Sequence, residues 1–123
     1  LLKWFPGLDL SLYRDFFNKE KIDGILLETF GAGNAPISEL FERMAESFIQ
    51  AGGVILNITQ CSSGSVKQGL YETSAGFERL GVISGADMTT EAAITKLMVV
   101  LGSFPKEQVA EVLRTNLRGE RTF

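Results

Sequence analysis

Alternating strand-like and helix-like segments predict an α/β fold for this chain: a small three-layer domain whose short, mostly parallel sheet of about four strands is flanked by helices. Three observations carry that reading. The runs Gly24-Ile25-Leu26-Leu27 and Val54-Ile55-Leu56-Asn57-Ile58-Thr59 are almost continuously apolar, as strands covered on both faces are. Between them Ile37, Leu40, Phe41, Met44, Phe48 and Ile49 trace one helical face, with Glu39, Glu42, Arg43 and Glu46 mostly on the other. Glycines punctuate the junctions, at Gly31 and Gly33 after one strand and at Gly52-Gly53 after the helix.

Each remaining element has its own signal. Leu1-Leu2-Lys3-Trp4-Phe5, closed by Pro6-Gly7, reads as a first strand. Ser11 is placed to cap a first helix, whose residues Leu12, Tyr13, Phe16 and Phe17 are expected to face the core. The polar residues 18–23 make an exposed connection. Residues 60–76 form a long Gly/Ser-rich segment, and residues 77–80 read either as a short turn of helix or as an approach to Val82-Ile83, a candidate short strand. Asp87 and Thr89 are candidate caps for a helix turning Ala93, Ile94, Leu97, Met98 and Leu101 inward. Pro105 fits the first position of a last helix with Val109, Val112 and Leu113 inward. The tail Arg118-Gly119-Glu120-Arg121 reads as charged and solvated.

Composition narrows the function. With 123 residues and 45% apolar content the chain can build one real core and is too apolar for disorder. A net charge of −3 without clustered Lys and Arg gives no support to nucleic-acid binding. No apolar run approaches the roughly 20 residues of a membrane span. The chain has no histidine, which excludes Ser-His or Cys-His nucleophile activation and His-ligated zinc within it. Its one cysteine, Cys61, can form no internal disulfide or CxxC metal pair, and without a secretory pattern it favours a reducing compartment. No cofactor or metal is expected. The chain opens inside an apolar segment without an initiator methionine, which predicts a piece of a longer protein, with boundary residues such as Trp4 and Phe5 left exposed.

Ligands of parallel sheets collect beyond the carboxyl ends of the strands. Those ends are Glu28-Thr29-Phe30, followed by Gly31-Ala32-Gly33-Asn34-Ala35-Pro36, and Thr59-Gln60-Cys61, followed by Ser62-Ser63-Gly64. The first loop begins G-x-G after a strand, but Pro36 stands at the third glycine of a dinucleotide fingerprint and no basic residue is present. A tight turn needing positive φ explains Gly31 and Gly33. Cys61 is read as a small residue lining a pocket rather than a nucleophile. Asn57, inside the most apolar strand, is expected to bond a neighbouring loop, since an unsatisfied buried amide costs about 1–3 kcal/mol. Asp87 is read first as a helix cap, although a carboxylate there could hold an amino-acid ammonium. These residues support a polar ligand pocket and assemble no acid–base–nucleophile constellation.

The segments "ILLETFGAGNAP", "GGVILNITQCSSGSV", "YETSAGFERLGVISGADMTTEAAITKL" and "NLRGE", in this order and spacing, resemble the C-terminal domain of cytoplasmic, type I L-asparaginases. The resemblance covers nearly all of the chain from Lys21 to Glu120, and it implies residues 1–123 as the C-terminal domain of a two-domain amidohydrolase that converts L-asparagine to L-aspartate and ammonia. The family's catalytic threonines belong to Thr-Gly-Gly-Thr and Thr-Asp segments absent from this sequence, so no activity is expected of this piece alone. Implied partners are the N-terminal catalytic domain and identical subunits.

The resemblance also implies an effector pocket for asparagine formed by Glu28, Thr29, Phe30, Thr59 and Cys61, with Thr90 reaching in from another subunit. Asn34 would stabilise that edge or approach the active site, and Tyr71 would complete a neighbour's catalytic centre. Some members with effector control carry arginine where Glu28 stands. An arginine clamps a carboxylate, whereas a glutamate repels one, so asparagine activation should be weak at best. The alternative is a stand-alone α/β domain that binds a small regulatory molecule.

Overall fold

The centre of the sheet is a six-residue parallel pair, β2 (Gly24–Thr29) and β3 (Val54–Thr59), in register from Gly24 opposite Val54 to Thr29 opposite Thr59. In this computed structural model, which describes residues 1–63, 65, 66 and 72–123 (72–74 by backbone alone), two short strands complete the sheet. β1 (Leu2–Lys3) lies against β2 with Leu2 opposite Leu27, and β4 (Ile83–Ser84) lies against β3 with Leu56 opposite Ile83. The order is β1-β2-β3-β4, all parallel.

Both faces of the sheet are covered, as the continuous apolar runs require. A 3₁₀ helix (Leu10–Phe17), α1 (Glu39–Gln50) and α2 (Glu72–Leu80) share one face with Ile25, Leu27 and Ile55. Its core is aromatic: Phe41 meets Trp4 and Phe77 edge-on, with ring centroids 5.2 and 5.5 Å away. On the other face Leu26, Leu56 and Ile58 pack against Leu97 and Val100 of α3 (Thr90–Ser103) and Val109 and Leu113 of α4 (Lys106–Arg114). Each such side chain removed from water contributes roughly 1.5–3 kcal/mol.

The helix ends follow local chemistry. Ser38 accepts the Phe41 N–H at 3.1 Å to start α1, and Gly52, at φ +96°, reverses the chain so that the Gly53 N–H reaches the Phe48 carbonyl at 2.8 Å. Thr89 caps α3 through the Ala92 N–H. Pro105 stands at the N-cap of α4, one position earlier than expected. The first cap is also displaced: Asp9, not Ser11, caps the 3₁₀ helix by accepting the Ser11 N–H at 3.0 Å.

Other expectations need correction. Leu12 is 80% exposed, because the 3₁₀ segment, kinked at Tyr13, does not follow the 3.6-residue period. α2 starts at Glu72, within the stretch read as loop. Met98 points outward at 69% exposed, while Lys96 turns inward. Trp4 is buried in the aromatic core, although Phe5 is about half exposed as expected. The charged tail is not solvated throughout: Arg121 is 9% exposed and donates to the Leu113 carbonyl at 3.0 Å, and Glu120 pairs with Lys96. Among the described residues, no helix is long and apolar enough to cross a membrane.

Candidate functional site

β2 and β3 end level, and the groups at their ends are tied together. Gln60, just past β3, donates its N–H to the Thr29 carbonyl at 2.8 Å, and its side-chain amide to the carbonyls of Trp4 (2.5 Å) and Glu28 (2.9 Å). One side chain thus spans the ends of three strands. The Thr59 hydroxyl donates to the Gly31 carbonyl at 2.5 Å and accepts the Cys61 N–H at 3.1 Å. Gly31 and Gly33 have φ of +48° and +97°, the positive values expected of this turn. The Asn34 N–H and carbonyl exchange 2.8 Å bonds with Phe30, folding the loop back onto the strand end.

Asn57 does what its burial demands. Its amide donates to the Gly33 carbonyl at 3.2 Å and its oxygen accepts the Thr29 hydroxyl at 2.7 Å. Asn57 and Thr29 are both fully buried, so this network fixes the loop instead of facing a ligand.

Beside these strand ends, on the α3 side of the sheet, a cleft of about 320 Å³ opens between residues 59–62 and residues 87–91. Thr59, Cys61 and Thr90 line it. Glu28 adjoins through Thr90, whose hydroxyl donates to one carboxylate oxygen, while the other oxygen lies 3.7 Å from the Lys3 ammonium. Glu28 is buried at 7% exposed, and its contact with Thr90 forms within one chain. Phe30 is half-buried against the aromatic core, and Tyr71 lies outside the described residues.

Asp87 is not the cap of α3. Its carboxylate accepts the Thr122 N–H at 2.9 Å and the Thr122 hydroxyl, which together hold its pKa below the ordinary carboxylate value. The sequence reading missed three further participants. Lys3 reaches Glu28 because β1 pairs with β2, which sets Lys3 opposite Glu28; a first strand was legible in the sequence, but its register was not. Gln60 was visible as a polar residue directly after the clearest strand. Met88 was hidden within the helix approach, and it too lines the cleft.

Chemically the cleft offers hydroxyls (Thr59, Ser62, Thr89, Thr90), a thiol, and the carboxylates of Asp87 and Glu91. Among the described residues, no cluster of His, Cys, Asp or Glu is placed to hold a metal ion, and no base is hydrogen-bonded to the Cys61 thiol. This is a binding geometry. Among the described residues, no nucleophile is assembled in it.

The model of the glutaminase/asparaginase C-terminal domain matches residues 1–113. The chain belongs to that family. L-asparaginase 1 of Escherichia coli K12 is 37% identical over 119 residues, which are 96% of this chain and 35% of that protein. The human 60 kDa lysophospholipase is 38% identical over 124 residues, 99% of this chain and 21% of that protein. The crystal structure of L-asparaginase I from Vibrio cholerae superposes with a TM-score of 0.90 at 34% identity, covering 99% of this chain and 37% of that one. This chain therefore spans only about a third or less of these proteins, and the Vibrio cholerae structure shares the strand and helix arrangement described above.

Proposed function

We propose that this chain is the C-terminal domain of a cytoplasmic L-asparaginase, which hydrolyses L-asparagine to L-aspartate and ammonia when joined to its N-terminal catalytic domain. The observation that carries the reading is the match of this domain, over 96% of its length, to E. coli L-asparaginase 1. In this reading the domain supplies three things. It packs against identical subunits, it brings Asn34 and Tyr71 toward a catalytic centre, and it offers the cleft at the strand ends to an amino-acid effector.

The cleft suits that last duty in its position and its hydroxyls, and Asp87 and Glu91 suit an ammonium group. Glu28 opposes the α-carboxylate of the same ligand, so activation by asparagine is weak. The test is ammonia release from asparagine by the 123-residue chain and by the full-length protein. The chain alone should be silent and the full-length enzyme active, with light scattering showing an oligomer. Activity in the isolated chain, or none in the full-length protein, would overturn the proposal.

A further inference from the structure

Glu28 buries its carboxylate beside two groups of the kind that recognise carboxylates. The Thr90 hydroxyl stands at the first residue of α3, where the helix terminus favours negative charge, and it donates to one oxygen. The Lys3 ammonium lies 3.7 Å from the other. Thr90 also lines the 320 Å³ cleft, and Lys3 is 61% exposed, so both would be reachable from solvent were Glu28 shorter. The backbone carbonyl of Glu28 is separately held by the Trp4 N–H and the Gln60 amide, which keeps the strand end in place independently of its side chain.

We infer that Glu28 is a tethered occupant of a carboxylate-binding position: its own carboxylate takes the hydroxyl and the ammonium that a free carboxylate ligand would need, and it thereby decides which ligands the cleft accepts. The inference rests on reading the cleft as a ligand site, and it names the specificity of that site. In the native chain this position, which adjoins the cleft at Thr90, is closed to a free carboxylate. Shortening Glu28 to alanine vacates the position without removing Thr90 or Lys3, and the empty position should accept a free carboxylate.

Acetate is the probe, compared with chloride at equal ionic strength in thermal melts of the 123-residue chain. At about 50 mM, above the millimolar dissociation constant expected of so few contacts, acetate should raise the Tm of Glu28→Ala over chloride by about 3–5 °C. Wild type, Glu28→Gln and the double variant Glu28→Ala/Thr90→Val should melt alike in the two salts. A folded Glu28→Ala that melts identically in both salts, or a wild type that responds as strongly as the variant, would overturn the inference. If Glu28→Ala folds only in acetate, that rescue supports it. If it folds in neither salt, Glu28→Ser is measured in the same way, and its indifference to acetate overturns the inference. The readout contains no amino acid. An acetate response in the variant without any asparagine response in the full-length protein therefore supports the tethered carboxylate and removes only the asparagine effector.

Discussion

Lys96 and Glu120 form a 2.6 Å ion pair with side chains only 5% and 13% exposed, joining the middle of α3 to the last residues of the chain. The Lys96 ammonium also donates to the Thr115 carbonyl, and the Glu120 carboxylate accepts the N–H groups of Leu117 and Arg118. Nearly every donor and acceptor of the pair is satisfied, which is the condition under which a buried ion pair persists.

Removing one partner should therefore cost far more than removing both. Lys96→Ala leaves a shielded carboxylate without its cation and should lower stability by about 3 kcal/mol in urea unfolding. The double variant Lys96→Met/Glu120→Leu should recover at least half of that loss. Equal losses in the single and double variants would show that the pair is not a coupled unit.

Acid should release the same contact. Burial raises the Glu120 pKa, but the Lys96 bond and the backbone N–H groups outweigh it and hold the carboxyl at about 2, below its ordinary 4.5. The unfolded chain takes up this proton more readily, so the contribution is complete above pH 4.5 and is lost as pH falls through about 2. With solvent screening discounted it is worth about 1–2 kcal/mol. The stability difference between wild type and Glu120→Gln should be constant above pH 5 and narrow between pH 4.5 and 2, as followed by urea unfolding across that range.

Asn57→Leu should destabilise by about 2–3 kcal/mol, because it strands the Gly33 carbonyl and deprives the Thr29 hydroxyl of its shorter bond. The loss should concentrate in the turn. Amide exchange at Gly33 and Asn34 should accelerate more than at Leu56, and uniform acceleration would argue against a local role.

Gly33→Ala tests the turn from the other side. An added Cβ would stand 2.5 Å from Val66 Cγ1 in a backbone at φ +97°, so the loop must shift. The expected loss is about 1–3 kcal/mol in the same unfolding assay. Gly102→Ala, in α3 with open space around it, should be neutral or stabilising.

The parts of the fold legible in the sequence are those whose environment is uniform. β2 and β3 are buried on both faces, and α1 presents an unbroken stripe, so their patterns survive translation into structure. The Gly31–Gly33 turn and the structural duty of Asn57 were legible for a similar reason, since each residue type permits few alternatives. Residues whose environment is set from a distance were not legible. Lys96 turns inward because Glu120 meets it from the end of the chain, and Asp87 is drawn from capping by Thr122. Arg121 is buried by contacts with the Leu113 and Phe123 carbonyls, which no local composition announces. In the cleft, Thr59 and Cys61 followed from the strand ends, whereas the Lys3–Glu28–Thr90 cluster needs β1 and α3 already in place.

The strictly consecutive strand order has a consequence for how the chain comes together. Parallel strands laid down in sequence, each crossing over on the same side, place the 3₁₀ helix, α1 and α2 all on one face. Leu26, Leu56, Ile58 and Ile83 therefore remain uncovered until α3 and α4 emerge after the last strand. A nascent chain halted after β4 would be half dry and half wet, with one side of its sheet still facing water as a sticky apolar surface. The last third of the chain is in that sense its own chaperone, arriving late to cover a surface the preceding strands and helices cannot hide.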